Sequence, residues 1–253
     1  MDPRLKIISK NFSKKSENYD YLANIQKYCA KNLFLLFKDY INYYDKILDL
    51  GSGSSFVAKN IIDFFPKNSI TEIDISKEMI NLWHERPENV FVINGDINKI
   101  NDLVNIKDFR VITSSFAIQW LSDIDNFLQM LNKNIGRNQI LCFCFPSHGS
   151  LKEIVNASEE SFCNFNFLDF PKEFSHKINT RTDFRILEHK IETIKINHSS
   201  AVDCLRKIKN LGANFSSRKN IINKRKLQNF NDFFLINSNN IISWKIEYFL
   251  LTS

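Results

Sequence analysis

The chain has 253 residues, enough to bury a substantial core, and nothing in it suggests a second domain of independent fold. Its net charge of +6 is modest, and its five cysteines are an odd number without metal-like spacing, which argues against a disulfide framework or a metal site and for a reducing cytosol. The start Met1-Asp2-Pro3-Arg4 lacks the charged-then-apolar pattern of an export signal, and no apolar run approaches the ~20 residues of a membrane helix, so no membrane partner is expected.

Along the chain, a helical region is expected through about Phe37, with Asn32 to Phe37 as its core-facing end. Lys46 to Leu50 is short, β-branched and apolar enough for a buried parallel strand. Gly51-Ser52-Gly53 follows, and Phe56, Val57, Asn60, Ile61 and Phe64 then recur at helical spacing, so the segment reads as strand, glycine turn, helix. A second strand, Ile70 to Asp74, ends in a carboxylate that a parallel sheet would hold over the hydroxyls of a ribose. Ser76 is a good cap for the helix beginning at Lys77. A third strand, Val90 to Ile93, runs into Asn94-Gly95-Asp96-Ile97, so acids follow successive strands.

Phe109 to Thr113 reads as the fourth strand, Ile124 to Ile135 as a helix, and Gln139 to Phe145 as a fifth strand closed by Pro146. Cys142 and Cys144 share one face of that strand as packing residues. Beyond them lie a helix from Leu151 to Cys163, a sixth strand from His189 to Asn197, a helix from Ser199 to Leu211 with Gly212 as its C-cap, and a last strand from Ile242 to Leu251.

A glycine pair alone serves equally well as a plain structural turn. Here Asp49 precedes it; an acid would repel the diphosphate of a dinucleotide but attract a methionyl ammonium or a sulfonium. With these features the chain resembles the class I S-adenosylmethionine-dependent methyltransferases. Asp49, Gly51 and Gly53 match the first motif of that family, Asp74 its ribose-binding acid, and Asp96 with Ile97 the pair that meets adenine. The resemblance adds Ile75, Met79, Ser115 and Gln26 to the expected donor site.

A narrower likeness follows. Ser115-Phe116-Ala117-Ile118-Gln119-Trp120 is similar to the fourth-motif region of the malonyl-acyl-carrier-protein O-methyltransferases of biotin synthesis. Tyr19-Asp20 with Ala23 and Gln26, Gly149-Ser150-Leu151, and Arg206 with Lys209, Gly212 and Ala213 agree with the same family. It implies an α/β, Rossmann-like fold with a seven-stranded, mostly parallel sheet in a single domain over 1–253. A helical cap would occupy 1–40, the donor-binding core 46–145, and lid insertions with the last two strands 146–253. It also implies S-adenosylmethionine as methyl donor and a malonyl thioester on an acyl carrier protein as acceptor. Three positions depart from the pattern: Ser55 stands for the third glycine of the first motif, Arg110 falls where the fourth strand usually carries an acid, and Asn138-Gln139 replaces a Pro-x-Gly turn.

A malonyl carboxylate is ionised at neutral pH and needs no general base. The scattered His84, His148, His176, His189 and His198 then read as surface or packing residues. The acceptor does need a cation to orient it; Arg206, which matches the family, is the first choice, with Arg181 and Arg185 behind it, and a solvated surface arginine as the alternative. Tyr19 and Gln26 are expected on one helix closing over the donor. Trp120 with Phe116 is either an apolar wall near the methyl group or a core aromatic. Between Asp203 and Asp232 there is no acid, while Arg206, Lys207, Lys209, Arg218, Lys219, Lys224, Arg225 and Lys226 all fall there, which favours an acidic partner such as a carrier protein over a merely solvated face. Nucleic acid is not expected at this net charge and without an Asn-Pro-Pro-Tyr signature. Two further readings stay open: a methyltransferase for another small carboxylate or metabolite, and an inactive donor-binding scaffold.

Overall fold

The computed structural model describes residues 3–163, 165, 167–211 and 223–253. In chain order its helices and strands begin with α1 (Pro3–Ser13), α2 (Ser16–Leu22), α3 (Asn24–Phe37), β1 (Lys46–Leu50), α4 (Phe56–Phe64) and β2 (Ser69–Asp74). They continue with α5 (Lys77–Ile80), β3 (Val90–Asn94), α6 (Ile100–Leu103), β4 (Val111–Ser115), α7 (Ile124–Asn134) and β5 (Ile140–Pro146). The last are α8 (Lys152–Glu160), α9 (Phe174–Arg181), β6 (Arg185–Asn197), α10 (Ala201–Asn210), α11 (Lys224–Ser238) and β7 (Ile241–Thr252). Every strand expected from the sequence is present within a few residues of its expected ends.

The strands form one sheet in the order β3-β2-β1-β4-β5-β7-β6. The pairs β1–β2, β1–β4, β2–β3 and β4–β5 are parallel. At the other side Ser253, just past β7, donates to the carbonyl of Gln139, just before β5, so β7 runs antiparallel to β5. Chain order reverses on either side of β1. The crevice beyond the carboxyl ends of β1 and β4 is therefore a topological switch point, where open α/β sheets bind ligands.

By compactness the described chain divides into two units, one from Met1–Leu22, Pro146–Phe170 and Glu192–Ile246, the other from Ala23–Phe145, Pro171–Ile191 and Glu247–Ser253. The second holds the core. Leu48 and Leu50, Ile73, Ile112, Leu141, Phe143 and Phe145 bury one face of the sheet against Phe127, Leu128 and Leu131 of α7 and Phe174 and Ile178 of α9. Burying a side chain of this size contributes about 1.5–3 kcal/mol, so this face dominates the stability of the unit. On the opposite face α3 packs on α4 and β4. There the Cys142 and Cys144 thiols reach the carbonyls of Leu33 and Cys29, each at 3.9 Å.

In the first unit α8 packs on α11, and α10 touches both α2 and α11. Phe230 and Phe234 of α11 are fully buried, and the Phe165 ring lies 5.2 Å from that of Phe230. Ser200 caps α10 by accepting from Asp203 N at 3.1 Å, one residue inside the expected start. The expected C-cap Gly212 lies outside the described residues, as do Ala213, Arg218 and Lys219. Helices α9 and α11 were not anticipated: α11 opens on the polar run Lys224-Arg225-Lys226, and its first fully buried residue is Phe230. The N-terminal region is three helices instead of one. Ala23 breaks the path with ψ 43 and supplies no side-chain cap.

Candidate donor-binding site

Asp49 sits near the end of β1, on the face opposite the main core, and registers with Glu72 on β2 and Thr113 on β4. Thr113 in turn registers with Cys142 on β5. All four are buried, forming a polar row across the sheet just beneath its carboxyl edge. Buried polar groups are nearly always hydrogen-bonded. Here both Asp49 carboxylate oxygens, one Glu72 oxygen, the Thr113 hydroxyl, the Ser52 and Ser54 hydroxyls and the Gln26 and Gln119 carbonyl oxygens have no partner. Burial pushes the Asp49 carboxyl well above the usual range, and Glu72 and then Asp74 push it further. An acceptor-rich cluster of this kind suits a ligand that brings a cation and donors.

The turn above it is strapped to β2: Gly51 N and Ser52 N both donate to Ile73 O, at 2.7 and 3.2 Å. Gly51 and Gly53 have φ of 70 and 56, where only glycine is at ease. At Gly51 a Cβ would overlap the Ala117 side chain, so this glycine lets the loop after β4 lie against the turn. A side chain there would meet protein before it met a donor. At Gly53 the nearest atom to a Cβ is Met79 Cε at 3.6 Å, an ordinary contact, and only the backbone conformation demands glycine.

Asp74 joins the two loops. Its Oδ2 accepts from Gly53 N and its Oδ1 from Ser76 N, both at 2.8 Å. Burial raises this carboxyl, and the Ser76, Gly53 and Ile75 N–H groups pull it back. Asn94 Nδ2 and Gly95 N both donate to Asp74 O, which brings in the loop of Asp96. Asp96 Oδ1 caps that loop by accepting from Asn98 N at 2.9 Å, and Ile97 packs against the core beside it. Met79 is buried under the capped turn, where Ser76 Oγ accepts its N–H.

From the other side of the switch point, Ser115 Oγ lies 3.3 Å from Cys144 Sγ, Phe116 takes φ 57, and Gln119 Nε2 donates to Phe116 O at 2.8 Å. Trp120 is buried on a single 3-10 turn and not on a long helix. Gln26 is buried on α3 in the same unit. Tyr19 is buried on α2 and Arg206 exposed on α10, both in the first unit, where those two helices pack together; Tyr19 and Gln26 therefore do not share a helix. Gly149-Ser150-Leu151 is fixed on β7, with Ser150 Oγ accepting from Lys245 N and donating to Lys245 O, both at 3.0 Å. Of the histidines His198 alone is buried; the others are exposed.

The three departures resolve locally. Arg110 precedes β4 at its amino end, bonded through N to Lys46 O, and so lies away from the carboxyl edge. Gln139 replaces a rigid turn by side-chain bonds: its Oε1 accepts from Gly136 N, and its Nε2 donates to Phe109 O and to Ile106 O, the last at 2.8 Å. Ser55 is left-handed, with φ 67. Sequence reasoning missed Arg86, whose Nε pairs with Glu72 Oε2 at 3.2 Å. Its signal was Glu72 itself, since an acid inside a buried strand is either paired or held neutral.

Comparison with known proteins agrees with this geometry. A profile of the methyltransferase-domain family matches residues 47–135. The chain is 28% identical over 219 residues to malonyl-[acyl-carrier protein] O-methyltransferase 2 of Ilyobacter polytropus, covering 83% of this chain and 81% of that one. It is 26% identical over 221 residues to a malonyl-[acyl-carrier protein] O-methyltransferase of Neorickettsia risticii, covering 83% of each. Its fold matches that of a crystal structure of an S-adenosylmethionine-dependent methyltransferase from Archaeoglobus fulgidus, with a TM-score of 0.54 and 12% identity over 90% of this chain and 94% of that one. Residues 47–135 form a methyltransferase domain, and the chain is an S-adenosylmethionine-dependent methyltransferase. S-adenosylmethionine is its methyl donor. Its named relatives are the malonyl-acyl-carrier-protein O-methyltransferases, as the fourth-motif segment had suggested.

Proposed function

We propose that this enzyme methylates the free carboxylate of a malonyl thioester carried by an acyl carrier protein, an early step of biotin synthesis. One observation carries the reading. The common methyltransferase domain accounts for residues 47–135, yet the likeness to the malonyl enzymes extends over 83% of the chain and so takes in segments outside the donor core. No helix among the described residues is long and apolar enough to cross a membrane. All five cysteines are buried free thiols, which suits a reducing cytosol.

Bound donor supplies an activated methyl group on a sulfonium. Asp49, Gly51, Gly53, Asp74, Ile75, Met79, Asp96, Ile97, Ser115 and Gln26 would hold it: Asp49 faces positive charge, Asp74 takes the ribose, Asp96 and Ile97 flank the adenine. The protein's chief task is to align the acceptor and exclude water, which is where positioning yields most of its rate. Arg206 is the proposed partner of the malonyl carboxylate, with Tyr19 and Trp120 shaping its approach; Arg206 is exposed and unpaired among the described residues.

Charge placement supports the carrier as partner. Lys224, Arg225 and Lys226 occupy the first turn of α11, which holds no acid. Cations there oppose the helix dipole at a cost of about 0.3–1 kcal/mol each, so they need another reason to be present. An acidic carrier surface supplies one. Transfer of labelled methyl to malonyl-carrier protein, beside malonyl-coenzyme A and free malonate, tests the reading. Preference for the carrier-bound form is expected; equal use of free malonate would favour the small-carboxylate alternative, and donor binding without transfer to any of them the scaffold.

A further inference from the structure

We propose that Arg86 is a positioning residue of the donor site, clamping the Gly51–Ser55 turn to the segment that follows Asp74. Its side chain is 17% exposed and reaches three different elements. Nε pairs with Glu72 Oε2 on β2 at 3.2 Å, Nη2 donates to Ile80 O at the end of α5 at 2.8 Å, and Nη2 also donates to Ser55 Oγ at 3.4 Å. The guanidinium carbon lies 5.5 Å from the centre of the Trp83 ring, which closes the remaining side.

Each anchor holds part of the donor site. Ser55 ends the glycine turn, Ile80 follows Met79 beneath Gly53, and Glu72 is the register neighbour of Asp49. The clamp also accounts for a serine where the family has glycine. Ser55 stands at the N-cap of α4 in a left-handed conformation, yet its hydroxyl makes no cap bond. It accepts instead from Arg86 Nη2, at 3.4 Å. Glycine would relieve the backbone strain and leave the guanidinium without that hydroxyl. A serine is worth its strain here because the ion pair beside it is fully buried on the Glu72 side.

The inference rests on the donor site proposed above, and its test separates the two. S-adenosylhomocysteine binding is measured by calorimetry, well below each melting temperature, for Arg86→Met, Arg86→Lys, Ser55→Ala, the Arg86→Met/Ser55→Ala double variant and Asp74→Ala. Arg86→Met should weaken binding about tenfold, the scale of losing one charge-assisted hydrogen bond. Arg86→Lys should recover part of it, the double variant should be no weaker than Arg86→Met alone, and the acceptor KM at saturating donor should stay at the wild-type value. A lowered melting temperature with wild-type affinity, or losses that simply add in the double variant, would reduce Arg86 to a stability residue and overturn the proposal. Should Arg86→Met fail to fold, Ser55→Gly decides: weaker donor binding in a protein no less stable supports the clamp, and unchanged binding overturns it. Wild-type binding by Asp74→Ala overturns the donor site itself; impaired binding there with wild-type binding by Arg86→Met overturns the clamp alone.

Discussion

Gly51 and Ala117 touch across the switch point of the sheet, so closely that a methyl group on the first would overlap the methyl of the second. The turn after β1 and the loop after β4 are thus fitted to one another before any ligand arrives. Gly51→Ala should therefore damage the site through protein packing: the φ of 70 adds about 1–2 kcal/mol of strain, and the overlap must push the two loops apart. Both the melting temperature and the affinity for S-adenosylhomocysteine should fall. Ala117→Gly in the same chain should restore part of each by removing the overlap; no restoration would show that the side chain at position 51 acts on the donor's space and not on Ala117.

Asp49 makes stability depend on pH in a definite direction. Its carboxyl is raised by burial, then by Glu72 and Asp74, so the folded chain holds this proton more tightly than the unfolded one. The resulting cost is absent below the ordinary carboxylate pKa of about 4, grows as pH rises from there, and is complete above the raised value. Asp49→Asn should raise the melting temperature at neutral pH, with the gain shrinking toward pH 4, and at the same time weaken donor binding. A melting temperature at neutral pH no higher than wild type, together with intact binding, would show that the carboxylate neither destabilises the fold nor serves the donor.

The identity of the acceptor appears in the rate. At saturating donor, transfer to a malonyl carboxylate should be nearly flat from about pH 6 to 8, because that acid is ionised throughout. A tenfold rise per pH unit would point to a hydroxyl or amine that must first lose a proton, and would exclude the carboxylate.

Arg206 and the outer basic residues should fail differently. Arg206→Ala should lower turnover even at saturating acceptor, since a misaligned nucleophile loses its in-line approach. Reversing Lys224 and Arg225 to glutamate should chiefly raise the KM for the carrier-bound substrate and flatten its salt dependence, leaving a small thioester unaffected. Equal losses on both substrates would return this run to an ordinary solvated face. Lys219, which the same reasoning includes, lies outside the described residues.

By itself the sequence determined what local pattern can determine. Lys46 to Leu50 had to be a buried strand because it is short, apolar and β-branched, the two glycines had to open a turn, and Asp74 had to end a strand beside it, so the strand-and-turn frame of the candidate site was legible. Strand ends are legible because backbone conformation and hydrophobic period are properties of neighbouring residues. The tertiary structure alone decided which distant residues complete them. Ala117 explains Gly51, Arg86 binds Ser55, and Gln139 ties its turn to Ile106 and Phe109, though each pair is 30 or more residues apart in the chain. Helix α11 escaped notice because three cations mask its first turn, and its buried Phe230 and Phe234 acquire meaning only against α8 and Phe165. Arg110 falls where the family's fourth strand carries an acid, but the register of β4 on β1 puts it at the amino edge, a full strand away from the donor turn. Burial and partnership depend on which strands become neighbours, and that follows from packing the whole sheet, which no local window contains.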